Sequence, residues 1–193
     1  MAFQVTGFAL LAAFYACYFR KMHLQRKQGI KTNQLGRGKS GPGKWLELAV
    51  SAGNWAAAAG MVWAVVSDGP GLPVWARLTG AVLSAAGVLM FALAVADMGD
   101  SWRAGVPVSE ETALVTDGIY RISRNPAFLG FDLLYLGMAL LFFTPPSALL
   151  SAAAAGLLHG QVLLVEEPFL RKRFGPAYEA YSRRVNRYFG RKR

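Results

Sequence analysis

The chain has 193 residues, of which 54% are hydrophobic and 17% charged, and its formal net charge is +10. Soluble domains carry about a quarter charged residues, and here the apolar residues gather into long runs, which excludes an ordinary soluble fold. The basic residues flank those runs instead of forming one soluble basic face, so the charge does not point to nucleic acid as a partner. Cys17 is the only cysteine, and His23 and His159 are the only histidines. That excludes an intrachain disulfide or a cysteine cluster and argues against a histidine-ligated metal, so no metal is expected.

A membrane-spanning helix needs roughly 20 largely apolar residues, with a lower limit near 17. Residues 1–19 meet this and end in Arg20-Lys21. No basic leader or small-residue cleavage site accompanies the run, which is read as a retained span. The basic stretch Arg20–Lys44 is too polar for lipid and reads as a mobile loop. Residues 45–67 form the second span, the turn Ser67–Pro73 follows, and residues 74–96 form the third. Asp97–Asn125 is polar and mixed, a long re-entry segment on the membrane surface. Residues 127–143 and 147–165 are the last two spans, and the turn Thr144-Pro145-Pro146 makes them a helical hairpin. From Glu166 the chain is basic, aromatic and amphipathic in spacing. The expectation is a single all-α, polytopic membrane domain of about five spans, ending in a C-terminal amphipathic helix.

Lysine and arginine counts set the topology. The first loop holds eight, the Asp97–Asn125 segment three and the tail after Glu166 nine, against Arg77 alone on the opposite connections. With five spans the three basic segments fall on one face by parity. The positive-inside rule makes that face cytoplasmic, in an inner or cytoplasmic membrane, with the C-terminus inside. Small-residue runs at Ala56–Gly60 and Ala152–Gly156 either let helices approach closely or are plain apolar filler.

Polar groups within the spans are costly and so are paired or functional. Asn54 and His159 read as structural. Asp132 lies roughly 9 Å into its helix at about 1.5 Å per residue. It either orients a substrate or an arginine, or only ties the bundle together. At Arg124-Asn125-Pro126, Pro126 suits the first helical position and Asn125 the N-cap before it. The free N–H groups of such a helix start, with Arg121 and Arg124 beside them, also suit a carboxylate or phosphate. Glu166 and Glu167 break the positive pattern of their face. They pair with Arg171 and Lys172, serve as first-turn acids, or bind a hydroxyl-bearing or cationic cofactor. Tyr178 and Tyr181 share one side of a helix, fit to face a cation or to dock the helix on the membrane.

Four segments then fall in register: Met98-Gly-Asp-Ser-Trp-Arg-Ala-Gly-Val106, Leu114-Val-Thr-Asp-Gly-Ile-Tyr120, Arg124-Asn-Pro-Ala-Phe-Leu-Gly130, and Glu166-Glu-x-x-Leu-x-x-x-Phe-Gly-x-x-Tyr-x-x-Tyr181 with Val185 and Arg187 beyond. In this order they resemble the isoprenylcysteine carboxyl methyltransferases and the related membrane phospholipid methyltransferases. The resemblance covers roughly residues 97–187. It implies S-adenosyl-L-methionine as methyl donor, held by the region 97–193, and a lipophilic acceptor (carboxylate, thiol or amine) entering from the membrane lipid. Implied cofactor contacts are Gly118, Tyr120, Arg124, Asn125, Pro126, Glu166, Glu167, Tyr178, Tyr181 and Arg187. Arg124, Asn125 and Glu167 are the implied catalytic set, and Trp102 and Asp132 the implied acceptor contacts. Asn125 stands where the family has histidine, and Phe128 where it has tyrosine, which removes a titratable group and a hydroxyl. Two rival expectations are an NADPH-dependent membrane reductase of sterol or isoprenoid double bonds, and a non-enzymatic protein whose basic tail binds anionic lipid.

Overall fold

The computed structural model describes residues 1–69, 71–107 and 112–191. Pro70 of the predicted turn, residues 108–111 of the re-entry segment and the last two basic residues of the tail lie outside the described residues. The helices are α1 (Ala2–Lys27), α2 (Pro42–Ser67), α3 (Val74–Met98), α4 (Pro126–Leu141), α5 (Pro145–Gln161), α6 (Glu167–Phe174) and α7 (Pro176–Arg184). A π-helical turn, Val162–Glu166, joins α5 to α6 without a break. Among the described residues there is no strand; two isolated bridges, Asn33 with Ala104 and Val185 with Arg191, tie loops together.

Among the described residues, four helices are long and apolar enough to cross a membrane: α1, α2, α3 with its 3-10 extension to Ser101, and the continuous Pro145–Phe174 helix. The shorter α4 has 16 residues, about 24 Å of helix against a hydrocarbon core of about 30 Å. The expected fifth span is therefore a short apolar helix packed beside the long ones. Asn125-Pro126 starts it and the Thr144-Pro145 turn follows it, so local punctuation limits its length. The last long helix overruns its predicted end at residue 165. Its widened turn ends two residues before Pro168, whose ring would crowd the carbonyl four residues back in a regular helix.

The outer shell is apolar. Val62, Leu78, Val82, Leu89, Leu149 and Leu164 are all exposed, which is favourable only against lipid. Trp45 and Trp63 are exposed near opposite ends of α2, separated by about 27 Å of helix. They suit the two interfacial belts.

The tightest packing joins α3 to α4 through glycines. A Cβ on Gly87 would lie 2.7 Å from the Gly130 carbonyl oxygen, and one on Gly80 would lie 2.6 Å from that of Gly137. Gly80 and Gly87, like Gly130 and Gly137, are seven apart and share a helix face. Of the small-residue runs, Gly60 does sit against α5, near Leu150 and Ser147, while Gly156 has nothing within 4 Å and is filler. Phe14, Phe91 and Phe131 form the aromatic centre, with Phe14 and Phe91 stacked at 4.4 Å.

The first basic loop is pinned. α1 runs on to Lys27 because Arg20–Lys27 contains good helix formers and no breaker. Beyond it the Gln34 N–H donates to the Ala104 carbonyl at 2.8 Å, and the Ala104 N–H to that of Thr32 at 2.9 Å. The buried Gln25 amide donates to the Trp102 carbonyl at 3.0 Å and accepts from the Thr32 hydroxyl at 2.7 Å. The three basic segments thus share one face, as parity required.

Candidate active site

On that face the start of α4, the end of the last long helix and the C-terminal tail converge. The Glu167 carboxylate, 4% exposed, is their hub. Arg124 Nη2 lies 2.9 Å from its Oε1. Arg187 grips both oxygens, Nε to Oε1 and Nη2 to Oε2, each at 2.9 Å. Arg124 Nη1 also donates to the Tyr178 hydroxyl at 2.6 Å. Both terminal nitrogens of Arg124 are therefore committed within the protein. Its Nε is buried without a partner.

Asn125 occupies the N-cap position of α4, but its side chain makes no capping hydrogen bond. The amide instead donates to the Arg187 carbonyl at 3.1 Å. The expected capping role is thus replaced by a tie to the tail. The backbone continues the strap, with the Arg124 N–H donating to the Asn186 carbonyl at 3.1 Å and the Gly190 N–H to that of Ile122 at 2.8 Å.

α7 turns its tyrosines inward. Tyr178 and Tyr181 are both buried and pack with Tyr120 and Ala94. The Tyr181 hydroxyl donates to the Tyr120 carbonyl at 2.7 Å. Of the two readings for these tyrosines, docking on the membrane surface is excluded. Burial pushes the hydroxyls of Tyr120, Tyr178 and Tyr181 up from the ordinary tyrosine value, so all three stay neutral near pH 7. The Arg187 guanidinium is raised by its hydrogen bond to Glu167.

These elements enclose a cavity of about 190 Å³ of water-accessible space. Its polar end is lined by Tyr120, Arg124, Asn125, Pro126, Glu166 and Tyr178. Its other end runs into the bundle between Val50, Trp55, Phe91, Phe131 and Leu158. Trp102, buried at the junction, sets its ring edge-on to Phe91 and Tyr18. Tyr181 also reaches the lining.

Four of the site residues expected from the sequence stand elsewhere. Glu167 and Arg187 lie behind the wall as the ionic hub. Gly118 sits in an exposed left-handed turn, φ +58°, where a Cβ would run into the Asp97 carboxylate. That carboxylate accepts from the Ile119 N–H at 2.6 Å. Asp132 does not line the cavity; it lies within electrostatic reach of His159 and Tyr188. The Tyr188 hydroxyl and His159 Nδ1 are hydrogen-bonded. Asn54 accepts from the Tyr135 hydroxyl at 2.8 Å, the structural pairing expected for it, while also lining the cavity.

Sequence reasoning missed Glu47, which is 0% exposed in α2. It accepts from Lys39 Nζ and, at 2.7 Å, from the Gly36 N–H, and so anchors the loop that roofs the cavity. The available signal was a lone carboxylate inside an apolar run, with lysines upstream.

With this geometry in view, comparison with known proteins places the chain. A family model described as phospholipid methyltransferase matches residues 75–177. The chain belongs to the phospholipid methyltransferase family. The matched stretch takes in α3, the site loop, α4, the last long helix and the start of α7. Among the curated relatives of this family member, protein-S-isoprenylcysteine O-methyltransferase A of Arabidopsis thaliana is 29% identical over 113 residues, 58% of this chain and 57% of its own length. Protein-S-isoprenylcysteine O-methyltransferase of Schizosaccharomyces pombe is 35% identical over 77 residues, 40% of this chain and 33% of its own length. The probable protein-S-isoprenylcysteine O-methyltransferase of Oryza sativa subsp. indica is 28% identical over 109 residues, 55% of this chain and 57% of its own length. The chain thus spans about half the length of the plant relatives it matches, and a third of the yeast one.

Proposed function

We propose that this protein transfers a methyl group from S-adenosyl-L-methionine to a lipophilic acceptor held in the membrane, from the face that carries the basic loops, with that face cytoplasmic. The observation that carries the reading is the two-ended cavity. Apart from Tyr178, the residues of the polar end lie inside the methyltransferase match, and the apolar arm opens among the spanning helices. The fit to the donor rests on Arg124. Its buried Nε has no partner, and an anionic carboxylate beside it and the free N–H groups at the start of α4 would satisfy it. The Tyr120 ring offers an aromatic face to a cation, while the Tyr178 ring already has the Arg124 guanidinium over it at 5.6 Å.

Bound there, the donor supplies an activated methyl carbon on a sulfonium. The protein's part is positioning and exclusion of water. Arg124 is held rigid by Tyr178 and Glu167, so Glu167 and Arg187 act through it as positioning residues. Asn125 lines the site and fixes the tail, and cannot serve as a base because its amide does not titrate. Trp102 and the Phe91–Phe131 wall would hold the acceptor's apolar body. Asp132, away from the cavity, has no assigned contact with the acceptor.

The test is label transfer in detergent or lipid. Purified protein is given donor labelled in its methyl group and a panel of prenyl thioethers, thiols and phospholipids. Label appearing in one lipophilic product, with saturable donor binding, is the expected result. Absence of saturable donor binding would remove the reading.

A further inference from the structure

The last span carries an amide that no sequence motif singled out. Gln161 closes α5 and is 2% exposed, and its Nε2 donates to Glu166 Oε1 at 2.9 Å. This contact is a product of the π-turn between them. In a regular helix, residues five apart point about 140° away from each other; the wider turn brings positions 161 and 166 onto one face. The amide presents its nitrogen to the Glu166 carboxylate and leaves its own Oε1 turned away. That Oε1 is buried without a partner, and both side chains line the cavity. A buried, unmatched acceptor is costly unless something arrives to donate to it.

We infer that Gln161 Oε1 and the Glu166 carboxylate together accept the two ribose hydroxyls of the nucleoside donor. The inference rests on the methyl-donor reading above and adds to it a residue and a subsite. Two adjacent acceptors joined by a hydrogen bond match two adjacent O–H donors. The adenine edge fits less well, since its ring nitrogen would set a further acceptor against the Glu166 carboxylate. A lipophilic carboxylate acceptor offers acceptors only and does not match the pair, and Glu166 lines the polar end of the cavity, where the donor is placed. The π-turn is then the device that aims the pair.

The experiment measures, by calorimetry on the full-length protein in detergent, the affinity of S-adenosylhomocysteine and of its 2′,3′-dideoxyribose analogue for the wild type and for Gln161→Leu. The expected result is about a tenfold loss for the dideoxy ligand on the wild type. The parent ligand should also lose affinity on Gln161→Leu, and the dideoxy penalty should shrink there, because Glu166 alone remains to accept a hydroxyl. Wild type binding both ligands equally would overturn the subsite without any mutation. So would a variant that elutes as the wild type on gel filtration yet keeps the full dideoxy penalty. Wild type binding neither ligand would instead remove the methyl-donor reading, and this assignment with it.

Discussion

Glu167→Ala removes the centre of the ionic hub. Two hydrogen bonds from Arg187 and the ion pair with Arg124, all at 2.9 Å, are lost together. Breaking a buried pair by deleting one partner costs about 3–5 kcal/mol, because the remaining charge is stranded. The side chain of Arg187 is 36% exposed and recovers water, whereas that of Arg124 is 6% exposed and does not. The lower end of the range, about 3 kcal/mol, therefore applies. For a chain of this size that is about 6–12 °C in melting temperature. Thermal melting of the detergent-solubilised variant checks it, and the double variant Glu167→Ala/Arg124→Ala should melt close to the single one, since each removes the same contact. Cofactor affinity should fall with stability, because Arg124 loses its support. A melting temperature within about 2 °C of wild type would refute the hub.

Gly87→Ala should drive α3 from α4, since the new methyl meets backbone of Gly130 and Leu134 at 2.7 Å. Overpacking of this kind costs about 1–3 kcal/mol, measured as a lower melting temperature, while Gly156→Ala, with open space around it, should melt as wild type. Glu47→Ala strands Lys39 and the Gly36 N–H beneath the roof loop; trypsin should then cut at Lys31 or Arg37 faster than in the wild type, and an unchanged cleavage rate would contradict the anchoring role. Asn125→His keeps an N–H donor for the Arg187 carbonyl, so melting temperature and donor affinity should stay near wild type. Loss of folded protein on that change would mean the pocket admits only the amide.

Several features were legible because their signals are local. Hydropathy marked the long helices, Pro126 marked the start of α4, and the spread of lysine and arginine placed three loops on one face. The resemblance to membrane methyltransferases rested on segments within or close to the residues the family model matches, 75–177. Local signals also misled. Asn125 reads as a cap by position, yet its side chain serves the tail. Asp132, which its depth left between orienting a substrate or an arginine and tying the bundle, does not line the cavity.

The rest depended on packing. Whether Arg124 meets Tyr178, 54 positions away, is set by how α4, the last long helix and α7 come together, and no single segment encodes that distance. Glu47 could not be read as the roof anchor until the first loop closed over α2. The sequence determines which stretches enter lipid, since each needs only its own apolar length. The tertiary structure decides which polar groups face one another, since a buried charge is stable only where a partner from elsewhere in the chain arrives to meet it.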